Sequence, residues 1–235
     1  MTISTSTSKI FPMYQTMTGM ATRLIRERVL TGHYKSGTRL IPEKLEVELG
    51  LGRVAIREAL RELTGSGLMV SLPNKGVIVA DPPGLEEITA LYQARYALEG
   101  EAALRATTKI TPEAIKRLEG LLAQMENSTR YPFDMVLLNR EFHLIIYEAS
   151  GWKTACRIIN QLFDQTLIFR SLNTSWVGDK NAGEYHKDHR GIIEALRSGN
   201  AEVAKHRVIA NISRGFKQFA LNQPSLKIKT KKTTE

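Results

Sequence analysis

Arginine recurs at every fourth position of the stretch RVAIREALRELTGSGL, residues 53–68, as Arg53, Arg57 and Arg61. On a helix, residues four apart share a face, so the three guanidinium groups would line one side. Ile56, Ala59, Leu60 and Leu63 would line another. A planar guanidinium fork can bind the O6 and N7 of guanine together, or a phosphate, so such a face suits nucleic acid. The same spacing suits a plain solvated surface, with Glu58 and Glu62 as partners. The elements that carry the arginines must decide between the two.

Those elements follow from the punctuation of the chain. Residues 1–9 are Ser/Thr-rich and read as disordered. From Met13 to Leu30, Met17, Met20, Leu24, Ile25 and Val29 recur at helical spacing. Pro42 and Gly50 bracket a second, short helix, and Gly65, Ser66 and Gly67 stop the arginine helix. LMVSL and GVIVA, β-branched runs around PNK, then predict a two-stranded hairpin. DPPG, 81–84, marks a linker. Beyond it only helical patterns remain, at about 85–108, 112–127, 132–149, 152–173, 179–198 and 200–221.

Three helices and a two-stranded wing form a winged helix-turn-helix, in which the third helix enters the major groove. In that arrangement Arg53 and Arg57 stand at the end of the helix that faces base edges. Lys75 and Gly76 give the wing tip a cation and a close backbone approach, and Lys44 opens the second helix, where phosphate is commonly met. Arg61 reads as a surface or backbone contact. The fold class expected is mainly α: a winged helix-turn-helix at 10–80, a linker at 81–84, an all-α bundle of about six helices at 85–222 and a mobile basic tail at 223–235.

Charge agrees with this division. The chain of 235 residues carries a formal +9. Residues 1–80 hold 11 Lys/Arg against 6 Asp/Glu, whereas residues 81–221 hold 18 against 17. A basic small part beside a neutral larger one suggests that the former meets a polyanion. The tail lysines, Lys227, Lys229, Lys231 and Lys232, read as solubilising. No apolar run of membrane-spanning length and no secretory signal are found, and the single cysteine, Cys156, can form no internal disulfide. The expected location is the cytoplasm, with no membrane partner.

The segment from Val29 to Asp81 resembles the DNA-binding domain of the GntR family of bacterial transcription regulators. The turn GHYKSGTRL, the helix pair LGLGRVAIREALREL, the following GL and the wing ending GVIVA carry the likeness. It implies that Arg53 and Arg57 contact DNA and that Gly76 is the wing-tip glycine. Three positions depart from the family pattern. Gly52 and Val54 stand where hydroxyl residues are usual, and Glu43, with Lys44 beside it, stands where many members carry a basic residue. These losses imply weaker phosphate contact or an altered operator.

LYQARYALEGEAALRA, LNREFHLIIYEASG and HKDHRGIIEALRSGNAEVAKHRVIANI resemble the FCD effector-binding domain of one branch of these regulators, in its six-helix VanR-like form rather than the FadR-like one. There an Asp and three His often hold a divalent metal beside a small carboxylate effector. The corresponding positions here are Asn139, His143, His189 and Asn211, so only His143 and His189 remain as usual metal ligands. Zinc, nickel or manganese is the possible cofactor, with His186 and His206 as nearby substitutes. Three readings stay open: a weakened metal site, a metal-free pocket in which the four residues bind the effector directly, or satisfied core histidines with no ligand. Arg95 matches a family arginine that faces the pocket, as a clamp for the effector carboxylate. The competing role is an ion pair with Glu99.

The expected function is a ligand-responsive transcription regulator, a repressor binding a pseudo-palindromic operator as a homodimer, with a small organic acid as effector. One alternative is a constitutive regulator with a degenerate, metal-free pocket. The other, a helical metalloenzyme with an accessory DNA-binding domain, is disfavoured. No histidine follows a glutamate by three residues, and neither HExxH nor GxSxG occurs. No enzymatic activity is expected.

Overall fold

The computed structural model describes residues 16–127, 132–171 and 179–221. The expectations for residues 1–9 and for the basic tail lie outside these residues. The chain divides into two compact units, Met1–Pro82 and Pro83–Glu235.

In the first unit α1 (Met17–Leu30) begins at Thr16, whose side chain accepts a hydrogen bond from the Gly19 amide. α2 (Pro42–Leu49) has Pro42 in its first turn and ends at Gly50, which adopts φ 65°, a left-handed cap open to glycine. α3 (Arg53–Gly65) buries Ala55, Ile56, Ala59, Leu60 and Leu63, the face opposite its arginines, and packs on α1. The apolar stripe of α1 is narrower than the sequence suggests. Ala21, Ile25 and Val29 are buried, but Met17 and Met20 are exposed.

The wing is a hairpin of β2 (Met69–Leu72) and β3 (Gly76–Val79), with Leu72 opposite Gly76 and Met69 opposite Val79. Pro73 and then Asn74 at φ 61° fit a type II turn, closed by the Lys75 amide donating to the Leu72 carbonyl. A third strand, β1 (Arg39–Leu40), pairs with β3, so the sheet order is β1-β3-β2. Two residues are too few for a period, which is why the expected two-stranded wing gains a strand here.

The described residues of the second unit form six helices: α4 (Leu85–Thr107), α5 (Pro112–Asn127), α6 (Pro132–Ala149), α7 (Lys153–Ser171), α8 (Asp179–Arg197) and α9 (Ala201–Leu221). α4 and α9 approach closely because Gly100 has no side chain. A Cβ there would lie 2.7 Å from Ile209 Cδ1. The core runs through all six, from Tyr92 and Leu118 to Phe142, Phe163, Ile192 and Val208. Among the described residues, no helix is long and apolar enough to cross a membrane.

Candidate functional site

On the first unit, α3 holds Arg53, Arg57 and Arg61 on its exposed face. Lys44, Lys75 and Gly76 are exposed as well. Gly76 has φ 73°, a conformation side chains rarely adopt, so its glycine is required by backbone rather than by space. Sequence reasoning missed Arg39. Its strand lies beside β3, and its Nε sits 3.7 Å from where a Gly76 Cβ would be, so the wing tip has a second cation. Only the pairing of β1 reveals it.

Only one of the two carboxylates that the sequence offered pairs with an arginine of this face. Glu58 pairs with Arg61 at 2.5 Å, but Glu62 accepts from the Thr22 hydroxyl of α1. Arg53 and Arg57 turn to α2 instead. Arg53 Nε lies 3.1 Å from Glu46 Oε2, and Glu43 Oε1 lies 3.5 Å from Arg53 Nη1 and 3.9 Å from Arg57 Nη2.

In the second unit the five expected residues lie on four helices. Arg95, Asn139, His143, His189 and Asn211 are all buried. Asn139, His143 and Tyr147 share a face of α6 at four-residue spacing. His143 Nε2 lies 3.0 Å from the Asn211 amide of α9, and His189 Nε2 of α8 lies 2.9 Å from that of Asn139. The two imidazoles stand 5.8 Å apart, edge to face, with Phe142 packed 4.8 Å from His189. Tyr185 donates to Asn139 at 2.7 Å.

Burial pushes the His189 pKa down to about 4, so the ring is neutral near pH 7. Its single proton then sits on Nδ1, where the Tyr185 carbonyl accepts it at 2.8 Å. Nε2 faces the Asn139 amide, which also takes the Tyr185 hydroxyl. Tyr147 gives its one hydroxyl proton to Glu99, so its oxygen accepts from His143 Nδ1 at 3.0 Å. His143 Nε2 faces the Asn211 amide. Burial, reinforced by Glu99, raises the Tyr147 pKa well above the phenol range and keeps that proton in place.

Arg95 is engaged by Glu99 through Nε at 2.5 Å and through Nη2 at 3.4 Å. Nη1 reaches Thr166 at a long 3.4 Å, and the guanidinium carbon lies 4.3 Å from the Phe163 ring and 5.0 Å from that of Tyr92. Burial alone would lower the Arg95 pKa, but Glu99, with help from Tyr92 and Tyr147, holds it above the ordinary value. The Arg95–Glu99 ion pair read from the sequence as the competing role of Arg95 is thus formed, whereas Tyr147 and Tyr185 are members of the cluster that sequence reasoning did not assign to it. An open groove lined by Thr107, Ile110, Ile115, Glu119, Leu196 and Arg197 contains none of the five residues.

As a resident-metal site the cluster falls short. Its donors are two imidazoles and two neutral amides, and each imidazole Nε2 is already paired with an amide. Glu99, the nearest carboxylate in the network, is committed to Arg95 and Tyr147. Among the described residues, no three His, Cys, Asp or Glu side chains stand together to hold a metal. His206 is exposed on the Glu202 carbonyl, and His186 is half-buried near Glu126 and Arg190.

The family model for bacterial regulatory proteins of the gntR family matches residues 18–79, and that for the FCD domain matches residues 90–214. The chain belongs to the GntR regulators that carry an FCD domain. It is 26% identical over 193 residues to the uncharacterized HTH-type transcriptional regulator YdhC of Bacillus subtilis (strain 168), covering 80% of this chain and 84% of that one. The HTH-type transcriptional regulator McbR of Escherichia coli (strain K12) is 24% identical over 189 residues, or 77% and 83% of the two chains. The solved structure of E. coli McbR/YncC matches with a TM-score of 0.76 at 22% identity, over 88% of this chain and 98% of that one, which supports the fold. This GntR regulator is accordingly a DNA-binding transcription regulator, not an enzyme.

Proposed function

We propose that this GntR regulator is a cytoplasmic repressor that binds a pseudo-palindromic operator as a homodimer and responds to a small carboxylate effector. Arg53, Arg57, Lys44, Lys75 and Gly76 contact the DNA, and Arg39 joins them at the wing. The effector binds without a metal among Arg95, Asn139, His143, His189 and Asn211. The buried cluster itself carries this reading. Polar groups inside a bundle cost stability relative to apolar residues of the same volume, so a cluster of this size fits a binding role better than a structural one. The two Asn amides supply NH2 donors, and the lightly used Nη1 edge of Arg95 supplies a cation for an entering acid. An effector would shift the population between two arrangements of the dimer, of which one spans the half-sites.

The self-satisfied hydrogen bonding of the same cluster favours a second reading, a constitutive regulator whose pocket takes no ligand. One series of melts separates the two. EDTA-stripped chain is heated with zinc, nickel or manganese, then with a library of organic acids. The expected result is no shift with metal, a saturable rise with one acid that His143→Ala abolishes, and release of operator DNA by that acid. A saturable rise with metal would restore His143 and His189 as metal ligands. No rise with any acid would favour the constitutive reading.

A further inference from the structure

The DNA-facing arginines of this protein are already occupied. Glu43 opens α2, where the helix dipole favours a carboxylate. Its Oε1 bridges Arg53 and Arg57, at 3.5 and 3.9 Å, and Glu46 takes the Arg53 Nε at 3.1 Å. All four side chains remain well exposed, at 49% for Arg53, 64% for Arg57, 50% for Glu43 and 38% for Glu46. A carboxylate bridging two guanidinium groups takes the place that a phosphate, or the O6/N7 edge of a guanine, would take.

We propose that Glu43 and Glu46 set the strength and salt dependence of DNA binding by acting as internal competitors for Arg53 and Arg57, which DNA must displace in order to bind. This rests on the reading of the two arginines as DNA contacts. A random duplex offers only phosphates, so its gain on displacing the carboxylates is small. A cognate site adds bidentate base contacts, and its gain is larger. Because the same carboxylates are displaced in both cases, the competitors lower affinity for both by a similar factor and leave the ratio between cognate and random sequence nearly unchanged. Glu58 is the internal control, because it lies on the same helix as the arginines yet pairs with Arg61.

The test uses the full chain without effector and two duplexes of equal length, one recovered by the wild-type chain from a random pool and its scrambled counterpart. Glu43→Gln is expected to tighten binding of both duplexes, by up to about fivefold each, with little change in their ratio. The slope of log affinity against log salt should steepen by about one. Glu58→Gln should change either affinity little, and the Glu43→Gln gain should vanish when Arg53→Ala and Arg57→Ala are also present. Unchanged or weaker binding by Glu43→Gln, with an unchanged melting temperature, overturns the proposal. So does an equal gain from Glu58→Gln, which would mean general charge alone. If the two alanine variants bind both duplexes as the wild type does, the assignment of the arginines to DNA fails first, and the competitor role falls with it.

Discussion

Arg53 meets Glu46 at 3.1 Å on the surface of the first unit, and Arg95 meets Glu99 at 2.5 Å inside the second. The groups are the same, and their surroundings make them different devices. Arg53 and Glu46 stay hydrated, so either can leave for a better partner at little cost. Arg95 and Glu99 are stripped of water and hemmed by Tyr92, Phe163 and Tyr147, so neither can leave without stranding a charge. A surface that must exchange partners with DNA needs the first kind of pair. A bundle that must hold a polar cluster in one geometry needs the second.

The sharpest way to break this comparison is to remove one member of the buried pair. Glu99→Ala leaves Arg95 charged and unpaired and also strips Tyr147 of its acceptor. A loss of about 3–5 kcal/mol is expected, read from the denaturant midpoint. Replacing both residues with apolar ones of similar volume, Arg95→Met with Glu99→Leu, should recover most of that loss. A Glu99→Ala loss below about 1 kcal/mol would place this pair with the surface ones.

The next effect follows from His189. Its folded pKa of about 4 lies below the ordinary histidine value of about 6.5, so below that value the unfolded chain binds the proton more readily. Stability is therefore full above about pH 6.5 and falls as the pH drops toward 4, by up to about 3 kcal/mol. His186 is depressed in the same direction by its own burial. Melting temperatures taken across this range should decline in the wild type and decline less in His189→Asn. A flat profile in the wild type would show that the ring is not held neutral.

Sequence reasoning reached different depths in the two regions. The bundle helices could be read almost to the residue because Pro112, Pro132, Gly151 and Gly199 interrupt the pattern locally, and the stop at Gly65 is equally local. The arginine face of α3 followed from spacing alone. What escaped was set by packing between distant segments. Glu43 and Glu46 face Arg53 only because α2 folds back on α3, and Arg39 reaches the wing tip only because β1 joins β3. Tyr147 shares the His143 face of its helix by local spacing, but its bond to Glu99 spans 48 residues. No local period encodes such a contact. The exposed Met17 and Met20 show the converse, an apolar spacing that the fold leaves unburied.

The smallest expected effect sharpens the comparison most finely. In a double-mutant cycle of Arg53→Ala and Glu46→Ala, the coupling free energy for stability should be below about 1 kcal/mol, since both side chains are well exposed. It should shrink further in 1 M salt, where the screening length falls to about 3 Å, close to the length of the pair itself. The corresponding cycle at Arg95 and Glu99 should be larger and insensitive to salt, because ions do not enter the core. If the surface coupling instead persists in 1 M salt, Glu46 holds Arg53 as a fixed strut. Displacement by DNA would then be costly, and the exchange attributed to the α2 carboxylates would lose its physical basis.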